Sequence, residues 1–244
     1  MKTSNKAPRF FIKQKISENH EMVIGDEKII HQIKNVLRKK EGDQIIFLDG
    51  NGSEFFGNIS KISKKEIIFK KDNITFHKKN NFEMEKQKII FAPAILKKDN
   101  FEFVLQKCIE IGVQKFQPII SERTEKNNLN FDRLEKIVKE ASEQSEKIFL
   151  PEVFGTKKIE EFLSKQNTKN IFVLEFNSLE FEISKFKKMK DEIIFLIGPE
   201  GGWGEDDLKL FEKFNIEKIS LGPQILRAET ASISLAALLY LGRI

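Results

Sequence analysis

Phe195-Leu196-Ile197-Gly198-Pro199-Glu200-Gly201-Gly202, with Ser220-Leu221-Gly222-Pro223-Gln224-Ile225-Leu226-Arg227-Ala228-Glu229-Thr230-Ala231 shortly after it, is the part of the chain whose reading decides the fold. Each segment follows a short apolar run, Ile193 to Ile197 and Ile216 to Leu221, and precedes residues at helical spacing. Both therefore read as turns from a strand into a helix. At the carboxyl ends of parallel strands, such turns frame a ligand crevice. Glycine lets backbone N–H and C=O groups approach a ligand, while Pro199 and Pro223 stiffen the turns.

Phosphate is the usual guest of a glycine-rich turn before a helix, but Glu205, Asp206 and Asp207 open the helix that follows Gly204. These carboxylates already complement the helix dipole and would repel an anion. Neither G-x-x-x-x-G-K-[ST] nor G-x-G-x-x-G occurs, and the glycine segments lie late in the chain rather than after its first strand. A neutral or cationic nucleoside suits the site better than a nucleoside triphosphate or a dinucleotide.

Outward from these turns, residues from Lys86 alternate between strand and helix patterns. Strands are expected at Ile89 to Ile95, Lys115 to Ile120, Asn170 to Leu174, Glu192 to Ile197 and Lys218 to Leu221. Helices are expected at Asp99 to Ile111, at Asp132 to Lys147, from Glu205, and from about Glu229 to Leu241. This order predicts a mainly parallel α/β sheet. The first third is different: short Ile/Phe-rich runs at Phe10 to Lys13, Gln44 to Leu48, Glu54 to Ile62 and Glu66 to Phe76 surround one helix, Glu27 to Lys39. Strands with turns such as Asp49-Gly50-Asn51-Gly52 predict a small β-barrel over residues 1–76, a polar linker at 77–84, and the α/β domain over 85–244.

The formal charge of +5 over 244 residues is uneven: residues 1–84 hold 17 Lys/Arg against 11 Asp/Glu, and residues 85–244 hold 25 against 26. A basic small domain beside a neutral one suits contact with a polyanion by the first and a pocket in the second, though a lysine-rich surface also solubilises a chain with 23 Phe. Arg9, Phe10, Arg38 and Lys39 are the RNA-contact candidates, because guanidinium groups pair with phosphate and aromatic rings stack on splayed bases. Phe10 and Phe11 point to opposite faces of a strand, so one of them is expected in the core. His31 reads as a packed histidine of the apolar helix. The single Cys108 excludes an internal disulfide and any multi-thiolate site, and His20, His31 and His77 are too scattered for zinc, so no metal is expected. The lack of a long apolar run or a signal-type start predicts a cytoplasmic protein without a membrane span.

Gly198-Pro199-Glu200-Gly201-Gly202 followed by Leu221-Gly222-x-x-Ile225-Leu226-Arg227-x-Glu229-Thr230-Ala231 resembles the signature of the RsmE-type ribosomal RNA small-subunit methyltransferases of the SPOUT class. The resemblance extends through Arg9-Phe10-Phe11, His31, Val36-Leu37-Arg38, Asp49-Gly50-x-Gly52, Gln106-Lys107, Glu110-Ile111-Gly112-Val113 and Glu140-Ala141-x-x-Gln144-Ser145. It implies a C-terminal trefoil-knotted methyltransferase domain, a PUA-like N-terminal RNA-binding domain, and S-adenosylmethionine as cofactor. It further implies N3 of a uridine in 16S ribosomal RNA or the small subunit as methyl acceptor, and a homodimer. By the same resemblance Leu174, Glu175, Leu196, Ile197, Gly198, Glu200, Gly202, Leu221, Gly222, Ile225, Leu226, Thr230 and Ala231 hold the cofactor. Arg227 is the candidate for stabilising charge on the uracil, and Glu200 and Glu229 are the carboxylates available as base; Glu200, read first as a cofactor contact, could instead cap the following turn by accepting backbone N–H bonds. Trp203 either covers the pocket or fills the sheet edge. Trp203 and Gly204 stand where relatives usually carry Phe and a hydroxyl residue, and Gln224 and Lys147 where Arg is common.

Overall fold

The computed structural model describes residues 7–14, 20–77, 89–125, 128–187, 189 and 192–241. The chain divides into two compact units, Met1–Asn81 with Glu146–Leu150, and Phe82–Ser145 with Pro151–Ile244. Apart from His77, the expected linker at 77–84 falls largely outside the described residues, 78–84 being among those left out.

In the first unit, β1 (Arg9–Phe11), β2 (Glu21–Ile24), β3 (Gln44–Leu48), β4 (Ser53–Ile62) and β5 (Ile67–Phe76) form one sheet in the order β1-β3-β4-β5-β2. The β1–β3 pair is parallel and the others antiparallel. Alternation along the strands turns Ile45, Phe47, Phe55, Ile59, Ile67 and Phe69 onto a common core, which Ile29, Ile30 and Ile33 close from the helix side. Phe47 anchors it, edge-on to Phe69 with 4.9 Å between ring centroids. The turn at Asp49 forms because the Asp49 carboxylate accepts from the N–H of Asn51 at 2.8 Å and of Ser53 at 2.9 Å.

The helix is shorter than its sequence pattern. Asp26 caps α1 (Glu27–His31), the backbone widens into a π turn over Gln32–Val36, and Arg38 takes a left-handed conformation with φ 52° that ends it. Only Ile29, Ile30 and Ile33 reach the sheet; Val36, Leu37 and His31 are exposed, so His31 is not the packed histidine expected. Strand β2 has no counterpart in the sequence reading. Both Phe10 and Phe11 are buried, not one of them.

The second unit contains β6 (Ile89–Pro93), α2 (Lys98–Ile111), β7 (Lys115–Phe116), β8 (Ile119–Ile120), α3 (Phe131–Gln144), β9 (Glu152–Val153), β10 (Lys157–Lys158) and α4 (Ile159–Leu163). It continues with β11 (Ile171–Glu180), α5 (Ile183–Lys187), β12 (Ile193–Ile197), α6 (Glu205–Lys213), β13 (Glu217–Ser220) and α7 (Ala228–Tyr240). Six strands make a parallel sheet in the order β13-β11-β12-β6-β7-β9, and β10 pairs separately with β8. β6 and β12 are buried along their whole length, which is why they read as unbroken apolar runs. The single strand expected at Lys115 to Ile120 is two, since the chain turns at Gln117-Pro118 and the Gln117 amide donates to the carbonyls of Pro118 and Gly155.

The strand order fixes the site. The chain passes from β11 to its neighbour β12, then returns past β11 to β13 on the other side. The turns leaving β12 and β13, the two glycine segments, therefore flank the end of β11 at a topological switch point.

Candidate active site

An open cleft of about 780 Å³, including its mouth, lies between these turns. Leu174, Glu175, Ile197, Gly198, Glu200, Gly202, Leu221, Ile225, Leu226 and Ala231 line it, together with Phe176, Pro199, Trp203, Ile219, Ser220, Gln224 and Ala228. A break in register puts Glu175 and Phe176 there: both Leu174 and Leu179 of β11 pair with Ile219, so the residues between them leave the sheet, with Asn177 at φ 58°. Leu196 is fully buried and belongs to the core beneath the cleft rather than to its wall. Gly222, Thr230, Arg227 and Glu229 are not in the lining either. Gly202 has φ 70° and open space where a Cβ would stand. Backbone conformation and a clear cleft, not close packing, are what call for glycine at that position.

The charged groups differ in state. The Glu200 carboxylate accepts at Oε1 from the Lys97 N–H at 3.0 Å and the Asn100 side chain at 3.1 Å, and so caps the start of α2 rather than the turn that follows it. Burial alone would raise its pKa, but its own backbone N–H, that of Lys97, the Asn100 amide and the Lys97 charge together hold it below the ordinary carboxylate value. Burial pushes the Glu175 carboxyl up against the opposing pull of Lys218. Oε2 of Glu175 and of Glu229 is buried with no hydrogen-bond partner among the described residues. Arg227 stands at the N-cap of α7, is exposed, and makes no ion pair with Glu229. Ser145 ends α3 by donating its hydroxyl to the Ala141 carbonyl at 2.7 Å, so it caps that helix end. Cys108 is wholly buried and its thiol is pushed up by burial, so it is inert.

The turn after β12 is braced from three directions. The Trp203 indole Nε1 donates to the Leu174 carbonyl at 3.0 Å, and its ring packs edge-on to Phe211 at 5.0 Å. Arg123 donates from Nη1 to the Gly201 carbonyl at 2.7 Å. The buried Asp207 carboxylate accepts from the N–H of Gly204 at 3.0 Å and of Glu122 at 3.1 Å, while Glu122 accepts in return from the Asp206 N–H at 2.8 Å. Burial raises the Asp207 pKa, the two N–H donors oppose this, and the charges of Glu122 and Asp206 add to it. A Cβ on Gly204 would lie 2.1 Å from the Glu122 carboxylate, so no larger residue fits there. Trp203 thus lines the cleft and is tied to β11 where its register breaks. Glu122 and Arg123 escaped the sequence reading; their sole local signal is an acidic residue three positions after Gly204, a helix-capping spacing.

In the first unit, Arg9 pairs with Glu54 at 2.9 Å, and His77 meets the other oxygen of Glu54 at 2.8 Å. Phe10, 1% exposed, is a core residue and cannot stack on RNA. The alternation argument fails for it because the parallel strand β1 is covered on both faces. Arg38 is exposed and Lys39 partly so.

Among the described residues no group of three His, Cys, Asp or Glu gathers as a metal set, and no helix is long and apolar enough to cross a membrane. Fold and cleft define the class: residues 83–240 match the family described as an RNA methyltransferase domain, and residues 25–72 its RNA methyltransferase PUA domain. The ribosomal RNA small subunit methyltransferase E of Rickettsia conorii is 30% identical over 232 residues, covering 94% of this chain and 93% of the relative. That of Bacillus subtilis is 30% identical over 250 residues, covering 95% and 96%. A crystal structure of the Neisseria gonorrhoeae ribosomal RNA small subunit methyltransferase E bound to S-adenosyl methionine superposes with a TM-score of 0.77 at 25% identity, covering 95% of each chain. The chain belongs to the RsmE-type family of ribosomal RNA small-subunit methyltransferases.

Proposed function

We propose that the protein transfers a methyl group from S-adenosylmethionine to N3 of a uridine in 16S ribosomal RNA. The observation that carries this reading is the cleft at the switch point, whose lining suits a cationic adenosyl group and rejects phosphate. Leu174, Ile197, Leu221, Ile225 and Leu226 offer apolar surface for an adenine ring. The partnerless Oε2 of Glu175 supplies an acceptor for a ribose hydroxyl or ammonium donor. Glu175 and Glu200 favour the positive charge, and the backbone at Gly198 and Gly202 admits close approach. Gly222 shapes the second turn, Ala231 lines the α7 side, and Thr230 stands beside it on the first turn of α7.

When bound, the cofactor supplies an electrophilic methyl on a sulfonium sulfur. The chain's residues must then make N3 nucleophilic by removing its proton and stabilising negative charge on O2 and O4. Glu200 lines the cleft, as Glu229 does not, and accepts the N3 proton; because its pKa is held low, it does so as the new bond to methyl forms and makes that proton acidic. Arg227 lies outside the cleft lining as well, but its side chain is exposed and makes no ion pair among the described residues, so it is free to approach the acceptor and stabilise the developing anion. Residues 1–76 act as the RNA-binding domain and 85–244 as the knotted methyltransferase domain, in a cytoplasmic protein whose partner is the small subunit or its RNA. A homodimer completes the reading. Leu235 and Leu239 of α7 are buried within the chain, which leaves Ile225, Leu226, Leu238 and Leu241 as the exposed large apolar side chains of this segment for it; sedimentation at micromolar concentration tests this. The reaction is tested by incubating hypomodified small subunits with labelled cofactor and mapping the product by mass spectrometry. N3-methyluridine is expected, and a 2′-O-methyl or guanine product would reject the reading.

A further inference from the structure

A second cleft lies on the other side of the turn after β12. Ile95, Leu96, Lys97, Arg123, Glu125, Glu200 and Gly201 line it, and the two apolar residues, each 2% exposed, form its base. Glu200 lines both clefts, so the two share that residue. Arg123 commits one guanidinium nitrogen to the Gly201 carbonyl and keeps further donors for a ligand. The Lys97 N–H and the Asn100 amide both donate to Oε1 of Glu200 rather than to Oε2.

The lining thus offers two cationic donors, Lys97 and Arg123, and the carboxylates of Glu200 and Glu125 over an apolar base. Uracil carries the complement on its Watson–Crick edge: the O4 acceptor, the N3–H donor and the O2 acceptor, on a flat face that favours apolar contact. Cytosine shows an amino donor and an N3 acceptor there, which would face a cation and a carboxylate with the wrong polarity. A phosphate meets two carboxylates for two cations and gains little. We infer that this second cleft is the acceptor-base pocket, in which Lys97 and Arg123 hold the two uracil carbonyls while Glu200 faces N3 at the boundary with the cofactor cleft. The inference rests on the functional reading above and deepens it. It makes Lys97 and Arg123 the residues that select uridine, and gives Arg123 a second task as the brace of the cofactor turn.

The test is single-turnover methylation of hypomodified small subunits by the full-length parent, Lys97→Met and Arg123→Ala, with cofactor and RNA affinities measured alongside. Lys97→Met should slow transfer by about 10²-fold, the scale for one lost oxyanion donor, with both affinities within about twofold of the parent. Arg123→Ala should slow it similarly and weaken cofactor binding as well, because the Gly201 carbonyl loses its donor. On RNA with 4-thiouridine at the modified position, a poorer acceptor at that edge with a more acidic N3–H, the rate relative to uridine should be higher in whichever variant already lacks the matching donor than in the parent. Parental rates in both variants would overturn the pocket. A parent that transfers methyl to the RNA but never to uridine would instead reject the functional reading.

Discussion

The Trp203 indole and the Leu174 carbonyl are joined by a 3.0 Å hydrogen bond that ties the glycine-rich turn after β12 to the point where β11 leaves the sheet. One bond therefore fixes the separation of two walls of the cleft. Trp203→Phe keeps the edge-on contact with Phe211 and loses the bond, which should cost about 1–2 kcal/mol of stability. Cofactor affinity should fall with it, read by thermal denaturation and calorimetry. An unchanged affinity would mean that the walls are held apart by packing alone.

Glu175 makes a pH-dependent prediction. Its folded-state pKa is raised above the ordinary value of 4.5, so the folded chain binds that proton more tightly than the unfolded chain. Its contribution to stability falls as pH rises from about the unfolded value through the folded one. Glu175→Gln should therefore raise the melting temperature at neutral pH relative to the parent, with the gain vanishing near pH 4, and should weaken binding of the cationic cofactor. A variant less stable than the parent at neutral pH would show that the carboxylate is satisfied in the fold.

Arginines in the two units should separate by assay. Arg38→Ala, at an exposed helix exit, should weaken RNA binding and flatten its salt dependence while leaving cofactor affinity unchanged. Arg9→Ala should also destabilise the first unit, since Arg9 is the partly buried partner of Glu54. Arg227→Ala should lower turnover on bound RNA by about 10²–10³-fold with RNA affinity near normal. Equal loss of RNA affinity in Arg227→Ala and Arg38→Ala, with turnover on bound substrate intact, would make Arg227 a phosphate contact.

The parallel sheet and the two turns were legible because glycine, proline and unbroken apolar runs state local backbone needs directly. What the sequence hid depends on contacts between distant segments. The break in β11 that turns Glu175 inward follows from its pairing with β13, and the braces at Glu122 and Arg123 come from a loop about eighty positions before the turn they hold. Phe10 looked like a stacking residue because a three-residue strand carries too little pattern to show that both its faces are covered. Glu200 was ambiguous between ligand contact and cap, and its partner proved to be α2, far earlier in the chain, which spacing alone cannot reveal.

Calorimetric titration of S-adenosylmethionine into the parent and Gly202→Val, each with and without chelator, tests the cofactor cleft most directly. Gly202 has φ 70° and open space where a side chain would begin, so valine should strain the turn by about 1–3 kcal/mol and project into the cleft without clashing elsewhere. The parent should bind one cofactor per chain regardless of chelator, and the variant should remain folded by circular dichroism while losing at least tenfold in affinity. Equal affinity in the two proteins, or binding abolished by chelator in the parent, would contradict the account.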